Sequence, residues 1–324
     1  MQEVYREAHR AALSSDSVLI TGENGTGKEI IALLVHHLSA RRGNDFVECS
    51  MAALSPTLIE AELFGTVRGA YSDAVQRSGL FERAVGGTLF LDEIGEAPPE
   101  LQPKILKVLD DKMVTRVGGD RARFCDVKVV AGTNRDLMYE VEHGSFRKDL
   151  FYRFQHRIHL PPLRERQGDI ENLAHFFLHR ARMLDLHGPA AFTDDALAAL
   201  RDHPWPGNVR ELAGVVQILA LTHGDGDEPI RREAVTHALA DYARHTTPAR
   251  EVALWTRSEL FDTRPMKDAV TRFRQAYVEV WCERIRAAQP GLSEEDVVRE
   301  AAREVGLETR VLRNYMKGQR SRPT

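Results

Sequence analysis

The chain has 324 residues, 43% of them hydrophobic and 28% charged, which fits two or three folded domains and excludes wholesale disorder. With 44 Lys and Arg against 48 Asp and Glu, the formal charge of −4 announces no nucleic-acid binder and leaves that question to local distribution. No apolar run approaches the ~20 residues of a membrane span, no signal-peptide pattern opens the chain, and Cys49, Cys125 and Cys282 suit neither a zinc site nor a disulfide framework, so no membrane role and a reducing cytoplasm are expected.

Val18–Thr21 reads as a strand that leads into Gly22-Glu23-Asn24-Gly25-Thr26-Gly27-Lys28-Glu29. A glycine-rich turn lets backbone N–H groups wrap a polyphosphate without Cβ obstruction. Lys28 then opens a helix expected over Glu29–Ser39, so an ammonium and a positive helix end face the same anion. The spacing fits the Walker A pattern except at its last position, where Glu29 replaces the Ser or Thr that supplies magnesium with a hydroxyl. His36 and His37 lack a His-Glu-x-x-His spacing and read as helix surface and core.

A strand over Phe46–Cys49 follows, and another over Thr88–Asp92 ends in the acidic pair Asp92-Glu93. Carboxylates at the C-terminal end of a buried strand suit a nucleotide hydrolase: Asp92 to hold Mg2+, Glu93 to polarise the attacking water. Strand Val127–Thr133 ends in Thr133-Asn134, polar residues placed to read a γ-phosphate. A last strand, Arg157–Leu160, is stopped by Pro161-Pro162. Through residue 163 the alternation of short strands with amphipathic helices predicts an α/β core with a mainly parallel sheet.

From Asp169 to Leu239 the periodicity is helical. Leu173, Phe176, Phe177 and Arg180 fit one helix, Asp194-Asp195 begins another, and Pro204-Trp205-Pro206-Gly207-Asn208 is a rigid turn feeding a helix from Val209. Residues 241–265 read as a linker, with its mixed stretch beginning at Tyr242, and 266–324 as a small all-α unit. Within that unit, Ala301–Arg313 patterns as a helix-turn-helix, with Gly306 at the turn and Leu307, Val311 and Leu312 as anchors. From Thr309 onward Arg310, Arg313, Lys317, Arg320 and Arg322 appear without an acidic residue, the electrostatic footprint of double-stranded DNA binding. Arg310, Arg313 and Asn314 are the expected base readers beside Thr309, and Lys317 a phosphate contact.

In chain order the phosphate loop, Glu62-Leu63-Phe64-Gly65, the acidic strand end, Phe146–Arg153, Pro161–Arg166 and Trp205–Leu212 resemble the AAA+ central domain of bacterial enhancer-binding proteins, the sigma-54-dependent transcription activators. The resemblance covers about residues 1–240 and implies an AAA+ core over 1–163, a helical lid over 164–240 and a Fis-type DNA-binding domain over 266–324. It implies ATP as the nucleotide and makes Glu29 an ordinary ending of the phosphate loop. It casts Arg147 and Arg153 as arginine fingers reaching a neighbouring subunit, Asn134 as the first sensor and Arg210 as the lid's sensor arginine. A finger acts across a subunit boundary, so the resemblance also implies a homo-oligomeric ring, a hexamer or heptamer.

Two departures from the family stand out. Its sigma-54-engaging loop, Gly-Ala-Phe-Thr-Gly-Ala, appears here as Gly69-Ala70-Tyr71-Ser72-Asp73-Ala74. Tyr71 and Ser72 keep the aromatic and hydroxyl character, whereas Asp73 places a carboxylate where the family has glycine. Ser50 stands where the family carries an Asn that restrains the catalytic glutamate, so looser coupling of target binding to hydrolysis is expected. The resemblance implies ATP-driven remodelling of sigma-54 RNA polymerase holoenzyme from an upstream DNA site. Two other readings are a remodelling ATPase with an altered target and a DNA-binding repressor with ATP-gated assembly. No receiver or ligand-sensing domain precedes Tyr5, so the input signal is expected from a separate partner or from sequence outside this chain.

Overall fold

The computed structural model describes residues 1–53, 55–70, 75–183, 191–222, 228–245, 285–286 and 291–305. They form two compact units, one comprising Met1, Glu3–Glu165 and Gly207–Val209, the other Gln2, Arg166–Pro206 and the described residues from Arg210 onward.

In the first unit helix α1 (Gln2–Leu13) precedes β1 (Val18–Thr21), α2 (Lys28–Leu38) and β2 (Phe46–Ser50). Then come α3 (Pro56–Phe64), the short pair β3 (Gly65–Thr66) and β4 (Arg77–Ser78), α4 (Leu80–Arg83) and β5 (Thr88–Asp92). Helix α5 (Gln102–Asp111), the pair β6 (Met113–Thr115) and β7 (Ala122–Phe124), β8 (Lys128–Thr133), α6 (Leu137–Glu142), α7 (Lys148–Arg153) and β9 (His156–His159) complete it. The five long strands pair in the order β2-β5-β8-β1-β9, parallel throughout. All five sequence-predicted strands are present, with ends shifted by at most one residue.

Strand alternation divides the core in two, because successive side chains leave a strand on opposite faces. Leu19, Leu89, Leu91, Val129 and Ala131 pack with Ile59, Leu63, Ile105 and Leu150 from the later helices and with Phe154 just past α7. Val18, Ile20, Phe90 and Val130 pack on the other side with Ala8, Ala11, Ile31 and Val35 of α1 and α2. Both faces are covered, which is why these strands read as continuous apolar runs. Lys128 is a charged residue buried in this setting. Its fully buried Nζ donates to the carbonyls of Ala11 and Ser14 at the end of α1, and burial pulls its pKa down to about 8.

The two short hairpins lie together. Val67 N–H donates to Val117 O and Val117 N–H to Gly65 O, joining the base of the 65–78 loop to the turn of the second hairpin. Arg116 grips Glu82 bidentately at 2.6 and 2.7 Å and reaches Ser78 Oγ at 3.2 Å. At the base a Cβ on Gly79 would fall 2.4 Å from Gly65 N and Leu63 O, so only glycine lets the two backbones meet.

The second unit contains α8 (Gln167–Met183), α9 (Asp194–Asp202), α10 (Asn208–Thr222, its first residues in the first unit), α11 (Arg232–His245) and α12 (Glu294–Val305). Leu173, Phe176, Phe177 and Arg180 lie on one helix, α8, as expected; its deepest positions are Ile170, Ala174, Leu178 and Ala181, with Leu173, Phe176 and Phe177 partly covered. Trp205, fully buried, donates from Nε1 to Leu200 O at 2.8 Å and fixes the Pro-rich turn before α10. Helix α11 continues through Tyr242, where the linker was expected to begin. A Cβ on Gly214 would sit 2.4 Å from the Tyr242 ring, so a glycine on α10 makes room for that aromatic. The helix-turn-helix residues Thr309, Arg310, Arg313, Asn314 and Lys317 lie outside the described residues.

Candidate nucleotide site

Parallel pairing delivers three strand ends to one edge of the sheet, with Thr21 beside Thr133 and Leu91 beside Ala131. Gly22 to Lys28, the Asp92-Glu93 pair and Asn134 therefore emerge together at the carboxyl edge, where open α/β sheets bind ligands. Gly22 N–H donates to Thr133 O at 3.2 Å, and a Cβ there would come within 2.7 Å of Leu160 O. Gly25 (φ 74°) and Gly27 (φ 102°) take left-handed conformations, the backbone form that makes an anion cradle from consecutive amides. Between them Thr26 is nearly buried and bonds Glu23 O.

Helix α2 starts at Lys28, one residue before the expected Glu29. Lys28 is only 7% exposed, donates from Nζ to Gly22 O at 3.0 Å and Glu23 O at 3.4 Å, and stands 3.8 Å from Glu93 Oε1. Asp92 closes β5, and its carboxyl is raised above the ordinary aspartate range by burial and then by the charge of Glu93, with Lys28 pulling the other way. Gly132 leaves room for it, since a Cβ there would lie 3.1 Å from Asp92 Oδ1. A partly desolvated carboxylate beside a second one offers hard oxygen donors of the kind that suit a magnesium ion, with the Lys28 ammonium balancing part of their charge.

Glu93 adopts φ 53°, ψ 49°, an uncommon conformation for a residue with a side chain, and its Oε2 accepts from Asn134 N–H at 3.2 Å. Asn134 is exposed at the end of β8. Ser50 ends β2 as the register partner of Asp92. The Glu93 carboxylate thus faces Lys28 through Oε1 and the Asn134 backbone N–H through Oε2.

The two arginines of α7 pair away from this site. Arg147, at the helix N-cap, binds Asp149 at 3.0 and 2.7 Å, and Arg153 pairs with Asp110 at 2.8 Å and with Leu109 O at 3.2 Å. Arg210 is exposed in the second unit near the start of α10. Gly69 (φ 82°) and Ala70 are described, Ala70 N–H donating to Val67 O, while Tyr71, Ser72, Asp73 and Ala74 lie outside the described residues.

Three residues join this architecture without a sequence signal of their own. Gln102, fully buried at the start of α5, donates to Ala97 O and Ser145 O and accepts from Arg147 N–H. Arg164 holds the Glu23 carboxylate at 2.9 and 2.6 Å, and Asn208 bonds both Glu23 and Asn24. Arg164 and Asn208 fell inside recognised motifs, but nothing in their spacing pointed them at the phosphate loop.

Residues 1–159 match the Sigma-54 interaction domain model and residues 164–251 an AAA+ ATPase lid domain model. The Nif-specific regulatory protein of Azotobacter vinelandii is 47% identical over 238 residues, 73% of this chain and 45% of that protein. The DNA-binding transcriptional regulator NtrC of Rhizobium meliloti is 44% identical over 241 residues, 74% of this chain and 49% of that protein. The chain thus spans about half the length of the curated relatives it matches. Among solved structures, NtrX of Brucella abortus in complex with ADP is 32% identical with a TM-score of 0.67, covering 98% of this chain and 67% of that one. The same protein in complex with ATP is 30% identical with a TM-score of 0.66, covering 98% and 66%.

Proposed function

The chain belongs to the sigma-54 interaction family of bacterial enhancer-binding activators, and from that premise we propose that it is an ATP-hydrolysing transcription activator. The observation that carries the reading is the gathering of Lys28, Asp92, Glu93 and Asn134 at one sheet edge above a left-handed glycine turn. The amides of Gly25 to Lys28 and the Lys28 ammonium bind the phosphates. Glu93 orients water for in-line attack on the γ-phosphorus, the bond to the bridging oxygen breaks, and ADP leaves. Asp92 would hold magnesium, which when bound neutralises charge on the phosphate oxygens. Glu29 contributes no hydroxyl ligand, so protein ligation of the metal falls to Asp92.

Arg147 and Arg153 supply positive charge to the neighbouring subunit's nucleotide in a hexameric or heptameric ring, and Arg210 completes the phosphate contacts. Arg147 is exposed and Arg153 half-buried, and each pairs with a surface carboxylate in the single chain, a partner exchangeable for a phosphate, which supports that role. The ring moves the Tyr71–Asp73 segment against sigma-54 RNA polymerase holoenzyme in the cytoplasm, while Arg310, Arg313, Asn314 and Lys317 hold double-stranded upstream DNA. Asp73 supports a second reading, in which the same engine acts on a different target.

The test is open-complex formation at a sigma-54 promoter with ATP and with a non-hydrolysable analogue. Activation that requires hydrolysis is expected; DNA binding without activation would favour a repressor, and hydrolysis without activation an altered target. In the same assay Lys28→Ala is expected to lose nucleotide binding, and Glu93→Gln to retain binding while turnover falls by ~10²-fold or more. Equal turnover by wild type and Glu93→Gln would remove Glu93 from the reaction.

A further inference from the structure

Three consecutive residues of the phosphate loop are held from outside it. Asn208 is fully buried and has φ 54°, a left-handed conformation that asparagine tolerates better than most side chains. Its Oδ1 accepts from Leu163 N–H at 2.7 Å, and its Nδ2 donates to Glu23 Oε2 at 3.1 Å and to Asn24 O at 3.0 Å. The next residue, Val209, donates its N–H to Gly25 O at 2.9 Å. Arg164, one residue past Leu163, takes the same Glu23 carboxylate in a bidentate grip. Glu23, Asn24 and Gly25 are thereby bonded to chain that lies well over a hundred residues later, and Lys28 folds back onto the carbonyls of the same loop.

We propose that Asn208 is a positioning residue for nucleotide binding: with Arg164 it sets the phosphate loop in its receiving shape, so that affinity depends on a side chain that does not contact the nucleotide. The inference rests on the nucleotide reading above and adds to it a second set of determinants. The chemistry is specific to an amide, which offers an acceptor and two donors in one plane. A carboxylate at 208 would keep the acceptor toward Leu163, lose both donors and face the Glu23 carboxylate across about the present 3.1 Å. That repulsion acts on the loop in its receiving shape and leaves the Asp92-Glu93 chemistry alone. Its signature is therefore a loss of affinity, with the catalytic step little altered.

The experiment uses the full chain and three variants, Asn208→Asp, Asn208→Gly and Asn208→Asp combined with Glu23→Gln. ADP affinity is measured by calorimetry, KM and kcat by steady-state ATP hydrolysis, and folding by thermal unfolding. Asn208→Asp is expected to weaken ADP binding and raise KM by about 10- to 100-fold, as for the loss of one charge-affected buried hydrogen-bond set, with kcat within about twofold. Asn208→Gly suits the positive φ, keeps the fold, and is expected to weaken ADP binding by roughly fivefold to tenfold. Adding Glu23→Gln removes the facing charge and restores a donor while giving up the Arg164 ion pair, so it is expected to recover part of the affinity lost with Asn208→Asp. ADP affinity within twofold of wild type in both single variants would overturn the inference, as would a fall in kcat at constant KM or no recovery in the double variant. Failure of the wild type itself to bind ADP would bring down the nucleotide reading and this inference with it, an outcome recognisably different from the others.

Discussion

At the end of β5 two adjacent carboxylates meet different constraints. Asp92 is drawn out of water and has its carboxyl raised, whereas Glu93 is turned by a left-handed backbone toward Lys28 and the Asn134 amide. A raised carboxyl protonates at higher pH than an ordinary aspartate, and only its ionised form binds magnesium well. Magnesium-dependent ADP affinity is therefore expected to fall on acidification before an unperturbed aspartate would titrate. Glu93→Gln removes one of the charges raising Asp92, so the acid limb should move to lower pH in that variant. A limb that stays put, followed by calorimetry across pH, would mean that Asp92 is not the titrating ligand. Glu23 sits at the other extreme: the Arg164 and Asn208 hydrogen bonds hold its carboxyl down to about 2, so it stays charged throughout that range and does not confound the measurement.

Among the elements, α5 and α7 are joined by one buried side chain. Gln102 satisfies Ala97 O, Ser145 O and Arg147 N–H, and so fixes the start of the helix that bears both candidate fingers. Gln102→Met keeps the volume but strands these backbone groups, a cost of about 1–3 kcal/mol in unfolding free energy. The same change should lower kcat, with little further effect in an Arg147→Ala background if Gln102 acts through Arg147. Additive losses in that double-mutant cycle would make Gln102 a stability residue alone. The legibility of elements follows the same division. Val18–Thr21 and Thr88–Asp92 were readable to the residue because both faces of the sheet are covered and the runs are unbroken. The β3–β4 and β6–β7 pairs were not, since strands of two or three residues are stabilised by partners such as Arg116 and Glu82 and carry no period.

At the scale of the whole molecule the proposed ring makes each active site a shared object. On that proposal Lys28 acts in the subunit that holds the nucleotide, and Arg153 in the one that completes the site. Lys28→Ala and Arg153→Ala are each expected to be inactive alone, yet mixed rings contain sites with an intact loop facing an intact finger. Random mixing in equal amounts should give roughly a quarter of the sites that pairing, and a corresponding recovery of hydrolysis. No recovery under conditions where the variants co-assemble would place Arg153 in its own subunit's site or outside the reaction.

What the sequence determined by itself was local and periodic: the glycine spacing before Lys28, the apolar run ending at Asp92-Glu93, and the order of motifs that carried the family. These are legible because a phosphate cradle and a doubly covered strand each impose residue types at fixed short spacings. Tertiary structure decided which distant groups hold that cradle. Arg164 reaches the phosphate loop because parallel pairing brings the end of β9 beside β1, from whose end the loop begins, and Asn208 is held there through Leu163 N–H. A side-chain hydrogen bond spanning most of the chain obeys no sequence period, so the contacts that set the loop's shape exist only once the sheet has closed around them.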